Sequence, residues 1–446
     1  MKIAAVSLGC EKNRVDSEEI LGYLAGKGIV LTDDIKSADL VLVNTCGFIE
    51  PAQQESINTL LKVAASGGSH KPIVIAAGCL VEVFGSDIIK KIPEVDGAIG
   101  VHSYSSLDRF LDLLLNKKRV VIKKPPSGEY RSLAPRILTT PVYSANIKIA
   151  DGCSNRCHYC LIPGIRGRYR SRNPQEIVSE IETLLARGTR EINLIAQDTT
   201  AYGSDRSDLP DLCGLIKNIL ELKRDFWLRI MYAYPSRITD ELIDLIAAEK
   251  RICKYLDMPI QHSNDQVLAA MGRKYSRDQL SGLIKKMRAR IPGLALRTTC
   301  MVGYPGENGR RFEDLLDFLN QYPFERLGAF VYSSQENTYA AELNNRIPAR
   351  VGKRRRDRLM AQQQIISFNR NLKLTGRRIV ILVEKKLELK SRLYYGRSEY
   401  QAPDVDGGVY IRSDRILTPG SWVVAINRSR LLLPTLAGIR LLSSAA

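Results

Sequence analysis

The chain of 446 residues carries 66 Lys and Arg against 48 Asp and Glu, a net charge of +18, with 44% hydrophobic residues and a mean hydropathy of −0.15. That length allows about three domains, and no apolar run approaches the roughly 18 residues of a membrane helix, so nothing here spans a bilayer. The opening MKIAAVSLGC meets Glu11, Lys12 and Asn13 at once; the basic head, long apolar core and small-residue cleavage site of a signal peptide are missing, which reads as a cytoplasmic protein.

In residues 1–118, short apolar runs (Lys2 to Leu8, Ala38 to Val43, Pro72 to Ala77) alternate with helix-like stretches such as Asp16 to Lys27 and Gln53 to Ala65. This is the rhythm of an open, doubly wound parallel α/β sheet. Residues 119–143, with KKPPSGEY, Pro135 and Pro141, read as an extended linker. From 144 to 345 the alternation resumes with strand candidates ending at IKIADGC, INLIAQD, FWLRIMYA, YLDMPIQ, LALRTTCMVGY and LGAFVYS. Six βα units predict a partial (β/α)6 TIM-like barrel, its unit extending through a basic helix to residue 374. The segment 375–442 turns to alternating strands (RIVILVEKK, SRLYYGRS, GGVYIRS, SWVVAINRS) around a DGG turn, as in a small antiparallel β-barrel. From Arg346 onward there are 21 Lys and Arg against 7 Asp and Glu, so +14 of the +18 lies in the last 101 residues. Such a footprint fits contact with nucleic acid or a nucleic-acid-rich particle, or else a solvated basic face.

Nine cysteines in a chain without secretory features argue for metal or catalytic thiols rather than disulfides. Cys10, Cys46 and Cys79 each terminate a strand of the first sheet, and the carboxyl ends of parallel strands share one edge where ligands bind. Three thiols about 35 residues apart in sequence therefore converge on a shared metal site; the alternative is three small buried hydrophobes. His70 and His102 are the nearby histidines, and neither stands at a strand end. The second set, Cys153, Cys157 and Cys160, is a C-x3-C-x2-C loop directly after the first strand of the second domain. Three thiolates can hold three irons of a 4Fe-4S cluster and leave the fourth open; the alternative is structural zinc with His158 as fourth ligand. Tyr159 adds an apolar surface beside the open iron. Cys213, Cys253 and Cys300 lie outside both triads and read as buried hydrophobes.

The C-x3-C-x-aromatic-C loop at the head of a βα barrel resembles the radical S-adenosylmethionine superfamily. Across the whole chain SLGCEKNRVDSE, NTCGFIEPA, GCLVE, DGCSNRCHYCLIPGIRG, LIAQDTTAYG, YAYPS, MPIQHSND, LRTTCMVGYPGE and FVYSSQENT resemble the methylthiotransferases. They look most like the branch that modifies an aspartate of small-subunit ribosomal protein twelve. SLGCEKN, CGFIEPA and AQDTTAYG stand where the tRNA-modifying branch has T-F-G-C-Q-M-N, a basic C-x-[IV]-R-E-like run and a G-Q-N-V-N-like run. The resemblance implies a methylthiotransferase amino-terminal domain, a radical SAM core and a carboxyl-terminal TRAM domain.

It further implies two 4Fe-4S clusters, one on Cys153, Cys157 and Cys160 that binds and reductively cleaves S-adenosylmethionine to a 5′-deoxyadenosyl radical. The other, on Cys10, Cys46 and Cys79, carries the sulfur, methylated by a second S-adenosylmethionine. The β-carbon C–H of the substrate has no acidity that a side-chain base could exploit. Around the first cluster, the strand-end residues Gln197 and Asp198 are expected at the methionine amino group, and Arg229 and Gln261 at carboxylate or ribose. Val302, with Gly303 and Glu307, is expected at the adenine. Arg166, Arg168 and Arg172 would steer an anionic substrate or the cofactor carboxylate, and His262 reads as a hydrogen-bonded core histidine. Implied partners are the ribosomal protein on its subunit, ribosomal RNA through the basic carboxyl-terminal region, and an electron donor such as flavodoxin or ferredoxin. A tRNA adenosine methylthiotransferase and a non-catalytic metal-containing RNA-binding protein remain the alternatives. The chain departs from the pattern at Glu11, where Pro is usual, and at Asn337, where Gly is usual.

Overall fold

A computed structural model describes residues 1–66, 71–116, 119–126, 132, 133, 135–387, 392–427 and the backbone of 441–444. His70, the SGEYR part of the linker at 127–131 and the tail at 428–440 lie outside the described residues. The first sheet contains β1 (Lys2–Ser7), β2 (Val30–Leu31), β3 (Leu40–Thr45), β4 (Ile73–Gly78), β5 (Gly97–Ile99) and β6 (Val120–Ile122) in the order β2-β1-β3-β4-β5-β6, all parallel. Every residue of β3 is buried, as expected of a parallel strand covered on both faces. Leu40 and Leu42 pack with Ile75 and Phe110 on one face, Val41 and Val43 with Val74 and Leu60 on the other. Val120–Ile122 falls within the expected linker; its β-branched residues instead pair with Gly97–Ile99 as the sixth strand.

Three helices start from the carboxyl edge of this sheet: α1 (Glu11–Gly26), α2 (Glu50–Ala65) and α3 (Cys79–Phe84). The apolar side of α1 (Ile20, Leu21, Leu24) packs on the sheet. Its polar side is buried too: Lys12, Asn13, Asp16, Ser17, Glu18 and Glu19 are all under 9% exposed. A surface helix would give these residues to water; here Asn13 and Ser17 bond the first sheet, Glu18 and Glu19 the segment 132–139, and Asp16 the second domain. Arg166 Nη2 lies 2.7 Å from Asp16 Oδ2, and Lys148 Nζ pairs with the other oxygen. Glu18 accepts the Thr139 N–H at 2.8 Å on one oxygen, and Arg136 Nε lies 3.4 Å from the other.

The second domain has β7 (Ser144–Lys148), a short hairpin of β8 (Ala150–Asp151) and β9 (Arg170–Ser171), then β10 (Glu191–Ile195), β11 (Trp227–Ile230), β12 (Ile252–Asp257), β13 (Ala295–Val302) and β14 (Arg326–Val331). The order β14-β13-β12-β11-β10-β7 is a six-stranded parallel half-barrel, with the main core between strands and outer helices. The third domain follows the helix Ala349–Leu372 and has β15 (Arg378–Lys386), β16 (Leu393–Ser398), β17 (Val409–Arg412), β18 (Trp422–Asn427) and β19 (Leu441–Ser444). They close as β15-β16-β17-β19-β18, antiparallel except for the parallel pair β17–β19. Among the described residues no helix is long and apolar enough to cross a membrane.

The third domain docks through buried charge. Arg397 on β16 forks onto Glu191 at 2.6 and 2.9 Å, and Arg229 reaches the same carboxylate at 2.9 Å. Tyr255 donates to Asp406 at 2.6 Å. Burial pushes Glu191 up, but Arg397 and Arg229 prevail and hold it at about 2, down from 4.5. A depressed carboxylate stabilises the fold above the unfolded-state value and loses that contribution as pH falls through the folded one. Stability from this site is therefore complete above about pH 4.5 and lost towards pH 2. Glu191→Gln leaves two guanidinium groups without their carboxylate and is expected to cost about 3–5 kcal/mol at neutral pH. Denaturant melts of wild type and variant should converge as the pH is lowered.

Candidate functional site

β1, β3 and β4 are adjacent, so the turns after them are neighbours. Cys10 caps α1, Cys46 follows β3, and Cys79 opens α3. Glycines allow the turns to touch. A Cβ on Gly9 would stand 2.9 Å from the Cys46 Cβ, and one on Gly47 2.7 Å from the Cys79 carbonyl oxygen. Gly9 and Gly78 also have φ of +85° and +96°, the left-handed region that favours glycine. Ser56 on α2 accepts the Cys46 N–H at 2.9 Å. Asn13, one turn into α1, donates to Leu8 and Thr45 carbonyls at 3.1 and 3.0 Å, and its Oδ1 lies 3.5 Å from the Cys79 sulfur. The convergence expected from strand ends is thus present, and Asn13 ties it together.

The second loop leaves β8 at Asp151. Cys153 donates its N–H to the Gly167 carbonyl at 3.1 Å, and Cys160 donates to Cys157 at 3.1 Å. The His158 ring turns to the Ala270 carbonyl at 2.8 Å and packs on Tyr339 at 4.5 Å, away from a ligand role. Arg273, half-buried, donates to the Cys157 sulfur at 3.5 Å and to the Pro259 carbonyl at 2.7 Å. Tyr159, Tyr304 and Met271 form an apolar floor on which Cys157, Cys160 and Met301 rest.

Between the two loops lies Arg166, 1% exposed. Besides Asp16 it donates to Asn13 Oδ1 at 2.6 Å, to the Cys79 sulfur at 3.4 Å and to Asp151 at 3.3 Å. One guanidinium joins the first triad to the strand that launches the second.

Tetrahedral zinc at about 2.3 Å per sulfur requires sulfurs about 3.8 Å apart. Among the described residues, neither triad brings its three sulfurs within 4.8 Å of one another. Burial pushes the Cys79 and Cys160 thiols up to about 12 and raises Cys46 and Cys153. Such thiols are protonated and unreactive at neutral pH, and become ligands when a metal displaces the proton.

The remaining expected residues divide. Gln197 donates to Asp151 at 3.0 Å, and its buried Oε1 has no partner. Gln261 stands at the barrel mouth with φ +65°, bridging to β13 through Thr299 and Met301. Asp198 is already saturated by Asn155 at 2.8 Å, Arg237 at 2.6 Å and Thr200 at 2.6 Å, so it positions the cysteine loop. Arg229 corrects the expectation of a cofactor contact: it lies deep in the half-barrel, bound to Glu191 and to the Glu399 carbonyl at 2.7 Å. The Val302 side chain packs in the outer core, because residues along β13 alternate; Met301 is the neighbour at the cysteine loop. Glu307 takes the Gly303 N–H and Arg355 at 2.7 Å, and lies 3.4 Å from His262, a core histidine as expected. Arg172 is held by Glu180 and the Lys148 carbonyl, and Arg168 is exposed. Cys213, Cys253 and Cys300 are buried. Asn13, Arg273 and Met301 have no spacing signature and become visible only through their bonds to the sulfurs or, for Met301, its packing beside Cys157 and Cys160.

Comparison with known proteins finds three family matches: "Uncharacterized protein family UPF0004" over residues 2–100, "Radical SAM superfamily" over 147–319 and "TRAM domain" over 375–429. Proteins named ribosomal protein uS12 methylthiotransferase RimO are similar along nearly the whole chain. That of Pelotomaculum thermopropionicum is 44% identical, covering 95% of each chain. That of Syntrophotalea carbinolica is 44% identical over 92% of this chain and 90% of its own. Among solved structures, the radical S-adenosylmethionine methyltransferase TsrM from Kitasatospora setae shares the fold, with a TM-score of 0.55 and 15% identity over 76% of this chain and 73% of its own.

Proposed function

This chain belongs to the RimO family of radical SAM methylthiotransferases, and from that premise we propose that it attaches a methylthio group to the β-carbon of an aspartate in ribosomal protein uS12. The observation that carries the reading is the pair of cysteine triads, each at the carboxyl edge of its own parallel sheet and joined through one buried arginine. Cys153, Cys157 and Cys160 would hold one 4Fe-4S cluster, and Cys10, Cys46 and Cys79 an auxiliary one. When bound, these clusters and two molecules of S-adenosylmethionine supply radical formation, sulfur and methyl transfer, chemistry that no side chain provides.

The protein's own residues bind, orient and exclude water. Asn13 and the glycine turns hold the first triad; Arg273 and Asp198 hold the second loop. The unpartnered Gln197 Oε1 is an acceptor suited to the methionine amino group of S-adenosylmethionine. Tyr159 and Met301 keep the loop's inner surface apolar, which limits water at the reacting centre. The basic third domain fits docking on the ribosomal subunit against RNA. The setting is the cytoplasm, with a small electron carrier such as flavodoxin or ferredoxin as reductant. Mass spectrometry of uS12 and of tRNA from cells with and without the gene tests the reading. Loss of one methylthio group from uS12 is expected; unchanged uS12 beside a lost tRNA thiomethyl group would transfer the assignment to the tRNA branch.

A further inference from the structure

Resting on that function, we propose that Lys12 is the group that receives the carboxylate of the substrate aspartate. Lys12 lies two residues after Cys10 in α1, with a side chain 8% exposed. Its Nζ stands 3.3 Å from the centroid of the Tyr232 ring, which follows β11 at the barrel mouth. Lys12 is thus between the exposed first cysteine of the auxiliary triad and the carboxyl face of the half-barrel.

Its bonding is incomplete in a way that its neighbours' is not. An ammonium carries three N–H donors and no acceptor, and leaving them unmatched in a buried place is costly. The nearest carboxylate, Glu11, is 4.0 Å away, beyond hydrogen-bond reach, and is itself engaged by the Tyr232 hydroxyl. Among the described residues, the contacts of Nζ are the Tyr232 ring and the 4.0 Å pairing with Glu11, and the residue keeps 6% exposure. The other cations around the triads are committed. Arg166 and Lys148 bind Asp16, Arg273 binds the Pro259 carbonyl and the Tyr275 hydroxyl, and Arg237, more exposed, binds Asp198. Tyr232 has φ +60°, a backbone conformation that a bulky residue seldom adopts. Such strain persists where surrounding structure enforces it, often at binding sites.

What the ammonium lacks is an anionic acceptor that arrives from outside. Aspartate supplies one, and its carboxylate carbon is bonded directly to the β-carbon. A carboxylate seated on Lys12 therefore fixes the reacting carbon one bond from its anchor, beside Cys10. Asparagine, with the same shape and no charge, would not be held so well, because a hydrogen bond between two charged groups is roughly twice as strong as a neutral one.

The test measures binding of purified uS12, and of uS12 with the target aspartate changed to Asn, to anaerobically reconstituted holoenzyme. Wild type is expected to prefer the aspartate form about 10- to 100-fold. Lys12→Met keeps the unbranched stem and removes the charge; it should bind both forms alike, at the weaker level. Lys12→Arg keeps the charge and should keep the preference. Iron content and cluster EPR spectra, unchanged in both variants, show that any loss is not loss of the auxiliary site. Aspartate-form binding undiminished in Lys12→Met, or a wild type that methylthiolates uS12 without preferring aspartate, overturns the role of Lys12 and leaves the function standing. A wild type that neither binds nor modifies uS12 overturns both.

Discussion

Changing Cys10, Cys46 and Cys79 together to Ala will lower the iron content from about eight to about four per chain, while reductive cleavage of S-adenosylmethionine continues and methylthiolation of uS12 stops. The separation follows from the architecture. The three residues belong to turns after β1, β3 and β4, whereas Cys153, Cys157 and Cys160 belong to a loop whose backbone bonds are to Gly167 and Met271. Each substitution removes one sulfur from a turn whose shape is set by glycines and by Asn13, so the sheet should survive it. Iron and sulfide analysis, with product assays for 5′-deoxyadenosine and for modified uS12, reads all three quantities. Zinc in place of iron, or parallel loss of cleavage and methylthiolation, would refute the division of labour between the two triads.

The parts of this molecule legible in its sequence are those governed by short-range patterns. Apolar alternation marked the six strands of the half-barrel, and the strand-end positions of Cys10, Cys46 and Cys79 announced their convergence, since a parallel sheet delivers its carboxyl ends to one edge. Val120–Ile122 was hidden by the prolines after it, and a strand of three residues has too short a period to read. Arg229 looked like a strand-end ligand because its partner Arg397 is contributed by a different domain, with Glu191 between them. The Val302 side chain lies in the outer core because neighbours along a strand face opposite sides, and that puts Met301 rather than Val302 beside the cysteine loop. The polar side of α1 had the pattern of a solvent-facing helix, and contacts with the first sheet, the segment 132–139 and the second domain make it an interior. Asn337 shows the reverse case: with φ +64° it occupies a left-handed position that glycine would suit, and asparagine is among the residues that tolerate it best.

Arg166 is where the two halves of the site depend on each other, and its replacement should have the largest effect of any single change outside the cysteines. Its guanidinium serves Asp16, Asn13, Asp151 and the Cys79 sulfur at once, which a planar fork of five donors can do and a single ammonium cannot. Burial works against charge at Asp151, yet Arg166 and Lys148 keep that carboxyl well below its ordinary range. Arg166→Ala removes the principal counter-charge of buried Asp151 and one of the two at buried Asp16, and is expected to cost about 3–5 kcal/mol. Arg166→Lys should recover most of that stability through charge, but not the bond to sulfur or to Asn13. Hydrogen bonds to cluster sulfurs help to set the reduction potential, so Arg166→Lys should lower the potential of the auxiliary cluster while leaving the EPR signal of the other in place. Redox titration followed by EPR, in the chain with both triads intact and again with Cys153→Ala to isolate the auxiliary signal, measures that shift. A potential equal to that of wild type would reduce Arg166 to a structural counter-ion; a shift confined to the auxiliary signal would make it the residue through which α1 and the Cys153 loop hold the two centres in register.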